Sequence, residues 1–424
     1  MKHIKKTITL LGVVLVLFGC SKDDDAPVVV PIPQNIAPQI DNQEFSISES
    51  ATEGTAIGTL VAADVNEDQL TYTITTNDND LFAITDAGSL SLATGKTVNY
   101  DVAQTHSITV AVSDGTDTAS ATITINVTNI VDVYAAGYEN KGGDDIATFW
   151  KNGEAISLTD GSNEAKANSV FVSGDDVYVA GYEVGNSGFE VATLWRNGET
   201  IKLTDGNSDA RANAVYVSGN DVYVVGYRFI SSRIFATLWK NQVQKDIGDI
   251  GSSANAVYVS GDDVYIVGYQ YGESKSVATL WRNEEEIALT DGVNNAFAND
   301  VYISGTDVYI AGIETNLTNG IATLWKNGAA TMLTDGNGKT ATSVFVSGND
   351  VYVVGSNNFW QNNVLDSLSQ ISAQFSSVYV FENDVYISGT LYSLTNQKYE
   401  ASIWKNSEQT VLSGEGNITA VFVK

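Results

Sequence analysis

The sequence has few of the residues that carry covalent chemistry in proteins. Among its 424 residues there are one cysteine, Cys20, and two histidines, His3 and His106. A single cysteine cannot form an intramolecular disulfide, and residues 132–424 contain neither residue type. Catalysis by a Ser–His or Cys–His pair and histidine-based zinc sites are therefore excluded from the larger part of the chain.

Positive charge and proline are also scarce. The chain has 22 Lys and Arg against 51 Asp and Glu, which gives a net charge of −29. This balance argues against a nucleic acid or an anionic membrane surface as partner, because both attract cationic patches. It is compatible with cation binding, basic partners or simple solubility. The four prolines all lie between residues 27 and 38, whereas 37 glycines supply tight turns.

The first twenty residues have the pattern of an export signal. Three lysines precede an apolar run, Ile8–Gly19, that is too short to span a bilayer. Its end, Leu-Phe-Gly-Cys, resembles a bacterial lipobox, which implies lipidation of Cys20. The acidic run 23–25 resembles the export signal of Bacteroidetes surface lipoproteins, which implies an outer-membrane anchor with the protein facing outside. An ordinary secretory signal and a solvated tether are the alternatives, and 21–35 is predicted to be an acidic, proline-rich tether.

Residues 36–131 alternate apolar and polar residues in short segments between Gly, Asn and Asp turns. About seven strands in about 95 residues are typical of an immunoglobulin-like β-sandwich. Phe45-Ser-Ile-Ser-Glu, Ala63-Asp-Val-Asn-Glu-Asp, Val98-Asn-Tyr-Asp and Val110-Ala-Val-Ser-Asp-Gly follow one another in an order that resembles a cadherin repeat.

This resemblance implies calcium sites at the two ends of the sandwich. Glu49, Asn99 and Asp101 would lie at the C-terminal end, and Asp64, Asn66 and Asp114 at the N-terminal end. Calcium prefers six to eight oxygen ligands, which Asp, Asn and Glu on loops supply. The sequence departs from the cadherin pattern in two respects: it has one repeat instead of several, and Ile36 replaces a ligand in the preceding linker. The alternative is that these residues are turn formers and solvated acids.

Residues 132–424 consist of seven repeats with a period of roughly 40 residues, which predicts a propeller or a solenoid. Each repeat contains one of the seven tryptophans and one Asp-Val-Tyr or equivalent segment. In the repeat 167–206 we predict four strands, joined in part by Gly174-Asp175 and Asn197-Gly198, which suit two-residue hairpin turns. Four antiparallel strands per repeat predict a seven-bladed β-propeller, all-β like the sandwich before it.

Closure of the ring is predicted from its two ends. The repeats begin at a second strand, and the chain ends in a lone first strand, 418–424, which can complete the first blade and remove sheet edges. The repeats resemble propellers of the bacterial extracellular-repeat type, and this resemblance implies no particular ligand. The recurrent tryptophans are expected to fill the space between blades and the recurrent aspartates to satisfy backbone amides of turns. A ring of sugar-stacking platforms and a ring of metal ligands are the alternatives.

Function is expected where the repeats differ. The connections between the second and third strands vary, and the sixth repeat has only eight residues from Tyr352 to Trp360. A notch in the rim of the variable face is the expected binding region, because variable loops on a rigid scaffold usually carry binding.

Three functions remain open from the sequence. The first is a non-enzymatic surface lipoprotein for calcium-dependent adhesion or ligand binding, with a polysaccharide, matrix or surface protein as partner. The second is a polysaccharide-active enzyme that uses a carboxylate pair in the propeller. The third is an accessory subunit of an outer-membrane complex.

Overall fold

The structure is a computed structural model that describes residues 34–100, 102–316, 319–334, 338–366, 368, 373–413 and 415–424. Cys20 and the tether up to residue 33 lie outside these residues. The chain divides into two compact units, one ending at Ile130 and the other running from Val131 to Lys424. Among the described residues, no helix has the length and hydropathy that a membrane crossing requires.

The first unit is a β-sandwich. Its strands are β1 (Gln39–Ile40), β2 (Gln43–Ser48), β3 (Ala56–Thr59), β4 (Ala62–Ala63), β5 (Thr71–Thr76), β6 (Phe82–Ile84), β7 (Ser89–Leu92), β8 (Thr105–Ser113) and β9 (Thr118–Thr128), with a short 3-10 helix at Asp78–Asp80. One sheet has the order β2-β9-β8-β5 and another the order β3-β7-β6, while β1 pairs with β4. The pairing of β2 with β9 is parallel and the others are antiparallel.

The core of this unit follows from the alternation in the sequence. Successive side chains of a strand point to opposite faces, so every second residue of β8 and β9 enters the core. Val110 and Val112 of β8 and Ile123 and Ile125 of β9 are completely buried. The all-β, sandwich-forming prediction for this segment is confirmed.

The second unit is built from four-stranded antiparallel sheets. Its strands are β10 (Val133–Lys141), β11 (Asp144–Lys151), β12 (Glu154–Ser157), β13 (Ala165–Ser173), β14 (Asp176–Val184), β15 (Glu190–Arg196), β16 (Glu199–Lys202), β17 (Ala210–Ser218), β18 (Asp221–Ile230), β19 (Arg233–Lys240), β20 (Val243–Asp246), β21 (Ser253–Ser260), β22 (Asp263–Tyr271), β23 (Ser276–Arg282), β24 (Glu285–Ala288), β25 (Ala296–Ser304), β26 (Asp307–Asn316), β27 (Asn319–Lys326), β28 (Ala329–Met332), β29 (Ser343–Ser347), β30 (Asp350–Gly355), β31 (Asn358–Gln361), β32 (Val364–Leu365), β33 (Ala373–Phe381), β34 (Asp384–Ser393), β35 (Lys398–Lys405), β36 (Glu408–Ser413) and β37 (Gly416–Val423).

In the described part of this unit, these strands form seven sheets, which we number I to VII in chain order. Sheet I has the order β12-β11-β10-β37, so its fourth strand comes from the C-terminus. Each of sheets II to VII consists of four consecutive strands, beginning with β13, β17, β21, β25, β29 and β33 respectively. We call β37 and these six first strands the inner strands.

The inner strands contact one another in a complete cycle. Each inner strand packs against the inner strand of the next sheet, and β33 and β13 both pack against β37. Seven aromatic rings follow the same cycle with centroids 4.6–5.2 Å apart. They are Phe171, Tyr216, Tyr258, Tyr302, Phe345, Tyr379 and Phe422. The first and last sheets of the unit are therefore neighbours.

The hairpin turns have the backbone that their sequences predict. Gly174 between β13 and β14 has φ of 58°, which the first position of a type II′ turn requires. Asn197 and Gly198 between β15 and β16 have φ of 51° and 82°, as in a type I′ turn. These turns twist in the direction that the paired strands favour, so the local sequence and the sheet agree.

The tryptophans lie between adjacent sheets, which confirms that they belong to the core. All seven are at most 2% exposed. Trp195 of sheet II packs against Ala136 and Phe149 of sheet I, and Trp150 of sheet I packs against Ile403 of sheet VII.

The role predicted for the recurrent aspartates was wrong in detail. Asp176 accepts hydrogen bonds from Nδ2 of Asn197 at 2.6 Å and from Arg196 at 2.5 Å. The backbone N–H of Val177 instead donates to Oδ1 of Asn197, at 2.9 Å. The turn asparagine thus satisfies the backbone amide, and the aspartate holds the asparagine in place. Equivalent Asp–Asn pairs occur at Asp132, Asp221, Asp263, Asp307, Asp350 and Asp384.

Asp300 is an exception among the inner strands, because the other six carry serine or alanine at the same position. Asp300 of β25 accepts the N–H of Val344 in sheet VI at 2.9 Å and that of Val301 at 2.9 Å. Its carboxylate therefore links sheets V and VI. Burial raises the pKa of Asp300 above the ordinary value of 3.8.

This raised pKa predicts a pH-dependent contribution to stability. The folded state binds the Asp300 proton more tightly than the unfolded state, so stability is gained as pH falls through the raised pKa towards 3.8. An Asp300→Asn variant lacks this gain. Urea denaturation between pH 7 and pH 4 should show the midpoint of the unmodified chain rising relative to that of the variant. A difference that is the same at every pH would contradict the prediction.

Candidate functional site

The N-terminal end of the first unit brings together three of the predicted calcium ligands. Oδ1 of Asp64 accepts the N–H groups of Asn66 at 2.7 Å and Asp68 at 3.3 Å. Asp114 accepts the N–H groups of Thr116 and Asp117, both at 2.7 Å. Hydrogen bonding from the N–H of Asp117 is the main cause that lowers the pKa of Asp114 below 3.8, so this carboxylate is held in its charged form.

The segment 34–36 connects these two loops. Nδ2 of Asn35 donates to Asp114 at 3.0 Å and to Asp117 at 2.8 Å. The N–H of Ile36 donates to Oδ1 of Asn66 at 2.9 Å, and Nδ2 of Asn66 donates to the carbonyl of Gln34 at 3.3 Å. Ile36 itself, which replaces a cadherin ligand, contributes to this network only through its backbone.

A cation fits the chemistry of this end. Oδ2 of Asp64 is buried and has no hydrogen-bond partner among the described residues. A buried carboxylate oxygen without a partner is costly unless a donor or a cation approaches it. Within the described ranges, however, no group of three or more His, Cys, Asp and Glu side chains is placed to hold a metal ion. The candidate donors are Oδ2 of Asp64, together with the carboxylate of Asp114 and Oδ1 of Asn66, which already accept hydrogen bonds.

The C-terminal end is organised differently. Glu49 accepts the N–H of Tyr100 at 3.1 Å and that of Ile130 at 2.7 Å, so each of its carboxylate oxygens has a backbone partner. Oδ1 of Asn99 accepts the N–H of Val102 at 3.1 Å. The third predicted ligand, Asp101, lies outside the described residues. Glu49 thus lies beside Tyr100, with both of its carboxylate oxygens already used for hydrogen bonding.

A second candidate site lies in the second unit, at the short connection that the sequence indicates. Only Ser356 and Asn357 connect β30 to β31 in sheet VI. They line a cavity of about 580 Å³ together with Lys339, Thr340, Gln374 and Asn417, among others. This cavity therefore involves sheets VI, VII and I. The sequence located the notch but did not identify the residues that line it.

A neighbouring cavity of about 400 Å³ shares Gln374 and Asn417 with the first. Its other lining residues include Tyr399 of sheet VII and Tyr138 and Asp145 of sheet I. The two cavities therefore adjoin at Gln374 and Asn417. We call them together the rim groove, which is lined by residues of sheets VI, VII and I.

One repeated position distinguishes the sheets beside the groove from sheets II and III. In sheets II and III this position, near the start of the inner strand, holds Lys166 and Arg211, which pair with Asp145 and Glu190 of the preceding sheets. These long side chains cross the space between sheets. The other sheets carry uncharged residues at this position: Ser253, Phe297 and Thr340 in sheets IV to VI, and Gln374 and Asn417 in β33 and β37. This change in the repeat is the sequence signal that could have identified the lining.

A ring of inter-sheet hydrogen bonds is also interrupted at the groove. Side chains of the inner strands donate to carbonyls of the following sheet: Asn168 to Ala212, Asn213 to Ala254, Asn255 to Ala298, Asn299 to Ala341, Thr342 to Phe375 and Thr419 to Ala167. At the junction of sheets VII and I the corresponding residue is Ser376, whose side chain makes no hydrogen bond within the described chain. The side chain of Gln374 likewise makes none there. Polar groups of the groove are therefore available to a ligand.

The acids near the groove are paired with lysines. Asp145 lies 3.0 Å from Nζ of Lys166, and Glu415 lies 2.6 Å from Nζ of Lys398. A further cavity, of about 290 Å³, lies at the inner strands, and Asp300 is its one carboxylate among the described lining residues. No pair of free carboxylates is therefore seen in the described lining of these cavities.

The comparisons with known proteins concern the first unit. A family model for the cadherin domain matches residues 43–128. Among solved structures, human mucin-like protocadherin EC1-2 matches with 20% identity over 23% of this chain and 56% of its own, with a TM-score of 0.21. Chicken VE-cadherin EC1-2 matches with 24% identity over 23% and 52%, with a TM-score of 0.20. The third cadherin domain of human protocadherin 7 matches with 22% identity over 22% and 87%, with a TM-score of 0.20.

This chain spans a little over half the length of the first two of these structures. No curated protein matches it. The matched segment coincides with the strands β2 to β9 of the sandwich. It lies within the segment 36–131, for which the sequence predicted a cadherin-like sandwich. The chain therefore contains a cadherin domain, at residues 43–128.

Proposed function

We propose that this protein is a non-enzymatic surface lipoprotein that serves adhesion or ligand binding. Cys20 would be lipidated and hold the chain at the outer membrane, facing outside, and residues 21–35 would act as a tether. The second unit would be a seven-bladed β-propeller that presents the binding face. The observation that carries the proposal is the presence of a cadherin domain, which is in general an extracellular adhesion module, in one chain with the rim groove.

Three observations within the second unit support the propeller. The C-terminal strand β37 pairs with β10, as ring closure requires. The inner strands and their aromatic rings follow a cycle with no end. The hydrogen bond from Thr419 to Ala167 joins the last strand of the chain to sheet II at 2.8 Å. Closure of this kind leaves only short, protected edges and gives a rigid scaffold.

The absence of catalysis is part of the proposal. A glycan-cleaving enzyme needs two carboxylates placed about 5–10 Å apart, one of which holds or accepts a proton. The acids beside the rim groove, Asp145 and Glu415, form ion pairs with Lys166 and Lys398, so an oxygen of each is occupied by an ammonium group. The mature chain should bind immobilised polysaccharide, matrix protein or cell-surface protein without releasing product. New reducing ends or unsaturated sugars would favour an enzyme instead, and co-purification with a membrane barrel would favour an accessory subunit.

Calcium is proposed to stabilise the cadherin domain through Asp64, Asn66 and Asp114. A ligand that binds only the folded state raises the free energy of unfolding, by about 2.7 kcal/mol when its concentration is a hundred times its Kd, and the unfolding midpoint rises with it. We therefore expect millimolar calcium to raise the midpoint of the first unit in scanning calorimetry, and a chelator to reverse the shift. Asp64→Asn should abolish it, because this variant removes a ligand charge.

The matched control is Asp78→Asn. Asp78 is an exposed acid in the short 3-10 helix, outside the proposed ligand set. This variant should keep the full calcium shift. Equal shifts in the two variants, or no shift in the unmodified chain, would show that the carboxylates of the N-terminal end are turn formers only.

A further inference from the structure

We propose that the rim groove binds a neutral polysaccharide chain, with Tyr399 as the residue on which a sugar ring stacks. This inference rests on the proposed function, because it names the ligand class of the binding face. The groove extends over three sheets, which suits an extended chain better than a small compact molecule.

The polar groups of the groove suit sugar hydroxyls. Its lining combines amides and hydroxyls, namely Thr340, Ser356, Asn357, Gln374, Ser376 and Asn417. Gln374 and Ser376 have side chains without a hydrogen-bond partner in the described part of the chain. A sugar hydroxyl both donates and accepts, and an amide does the same through its two ends. Such groups recognise hydroxyls without selecting for charge.

An exposed aromatic ring stands at the wall of the groove. Tyr399 is 55% exposed and lines the part of the groove between sheets VII and I. Its ring is supported edge-on by Tyr392 at a centroid distance of 5.1 Å. A ring that is held in position yet accessible loses little entropy on binding, and its face is available to the C–H groups of a sugar.

Charge favours a neutral chain over an acidic one. The protein carries a net charge of −29, which repels polyanions at low ionic strength. Within the described lining of the rim groove, the cation is Lys339, and its Nζ donates a hydrogen bond to Oδ1 of Asn357. The acids that line the groove, Asp145 and Glu415, are paired with Lys166 and Lys398.

The test is affinity electrophoresis of the mature full-length chain in gels that contain soluble β-glucan, α-glucan, mannan or galactan. We expect retardation by at least one of these neutral polysaccharides. Tyr399→Ala should weaken that binding about tenfold or more, since truncation of an aromatic anchor typically costs this much. Gln374→Ala should weaken it as well, by a smaller factor. The matched control is Tyr271→Ala, which removes a tyrosine of similar exposure, 53%, at the end of β22 in sheet IV.

The outcomes separate the ligand class from the proposed function. Loss of binding in Tyr399→Ala with retention in Tyr271→Ala supports the groove as a saccharide site. Equal binding by all variants, or an equal loss in both tyrosine variants, overturns the groove as the site. Binding to an immobilised matrix or surface protein but to no polysaccharide overturns the saccharide and leaves the adhesive function standing. Binding to none of these surfaces overturns both.

Discussion

Deletion of residues 417–424 should prevent the second unit from folding, although only eight residues of 424 are lost. These residues form most of β37, which contributes the buried side chains of Ile418, Val421 and Val423 to the contact between sheets I and VII. Their burial is worth roughly 5–9 kcal/mol in total. This is comparable to the whole stability of a typical domain, roughly 5–15 kcal/mol. The deletion also exposes the edge of β10, which then becomes a template for aggregation.

The experiment measures soluble yield and tryptophan fluorescence, since all seven tryptophans lie in the second unit. The matched control restores the strand at another place in the chain. Lys424 and Asp132 exchange backbone hydrogen bonds at 3.0 and 2.9 Å, so a two-residue Gly-Asp link can join them as in sheet II. In this control chain, residue 131 is followed by a flexible linker, then by 416–424, then by the Gly-Asp link and Asp132. This chain should fold. A deleted chain that remains soluble with native fluorescence would contradict ring closure.

The sequence predicted the sandwich of the first unit and the four-stranded antiparallel sheets of the second because the information for both is local and repeated. Asn197-Gly198 can form only a small set of turns, and its recurrence between apolar segments sets the register of the hairpins. The alternation in β8 and β9 assigns the core of the sandwich in the same way. The role of Asp176 was not predictable from spacing, because it depends on Asn197, which lies far along the chain and reaches it only after the hairpin has formed.

The sites were predicted less completely, for two different reasons. Whether a predicted residue can bind calcium depends on which of its oxygens remain free after folding. Glu49 uses both of its oxygens to accept backbone N–H groups, whereas Oδ2 of Asp64 has no hydrogen-bond partner among the described residues. The rim groove depends on what is missing between sheets. Its signal is the contrast between Lys166 and Arg211 in sheets II and III and the uncharged Gln374 and Asn417 at the same position beside the groove. This contrast can be interpreted only when the neighbouring sheets are known.

A single tryptophan should be nearly as important to the second unit as the closing strand. Trp281 is fully buried and packs against Tyr223, Val225 and Leu238 of sheet III. Trp281→Ala leaves a cavity between two sheets whose strands are fixed by hydrogen bonds, so the surroundings can relax only partly. We expect a loss of about 3–5 kcal/mol in the free energy of unfolding. Urea denaturation followed by the fluorescence of the other six tryptophans measures it.

The control for Trp281→Ala is again Tyr271→Ala, at the exposed end of β22 in the same sheet, which should change stability by less than about 0.5 kcal/mol. The comparison also tests the alternative role of the tryptophans. If they were sugar-stacking platforms, replacing one would reduce polysaccharide binding with little effect on the unfolding midpoint. Burial of the indole rings between sheets requires the opposite: a folded Trp281→Ala chain keeps its affinity, and its midpoint falls. A stable variant with weakened binding would move the binding site from the rim groove to the spaces between sheets.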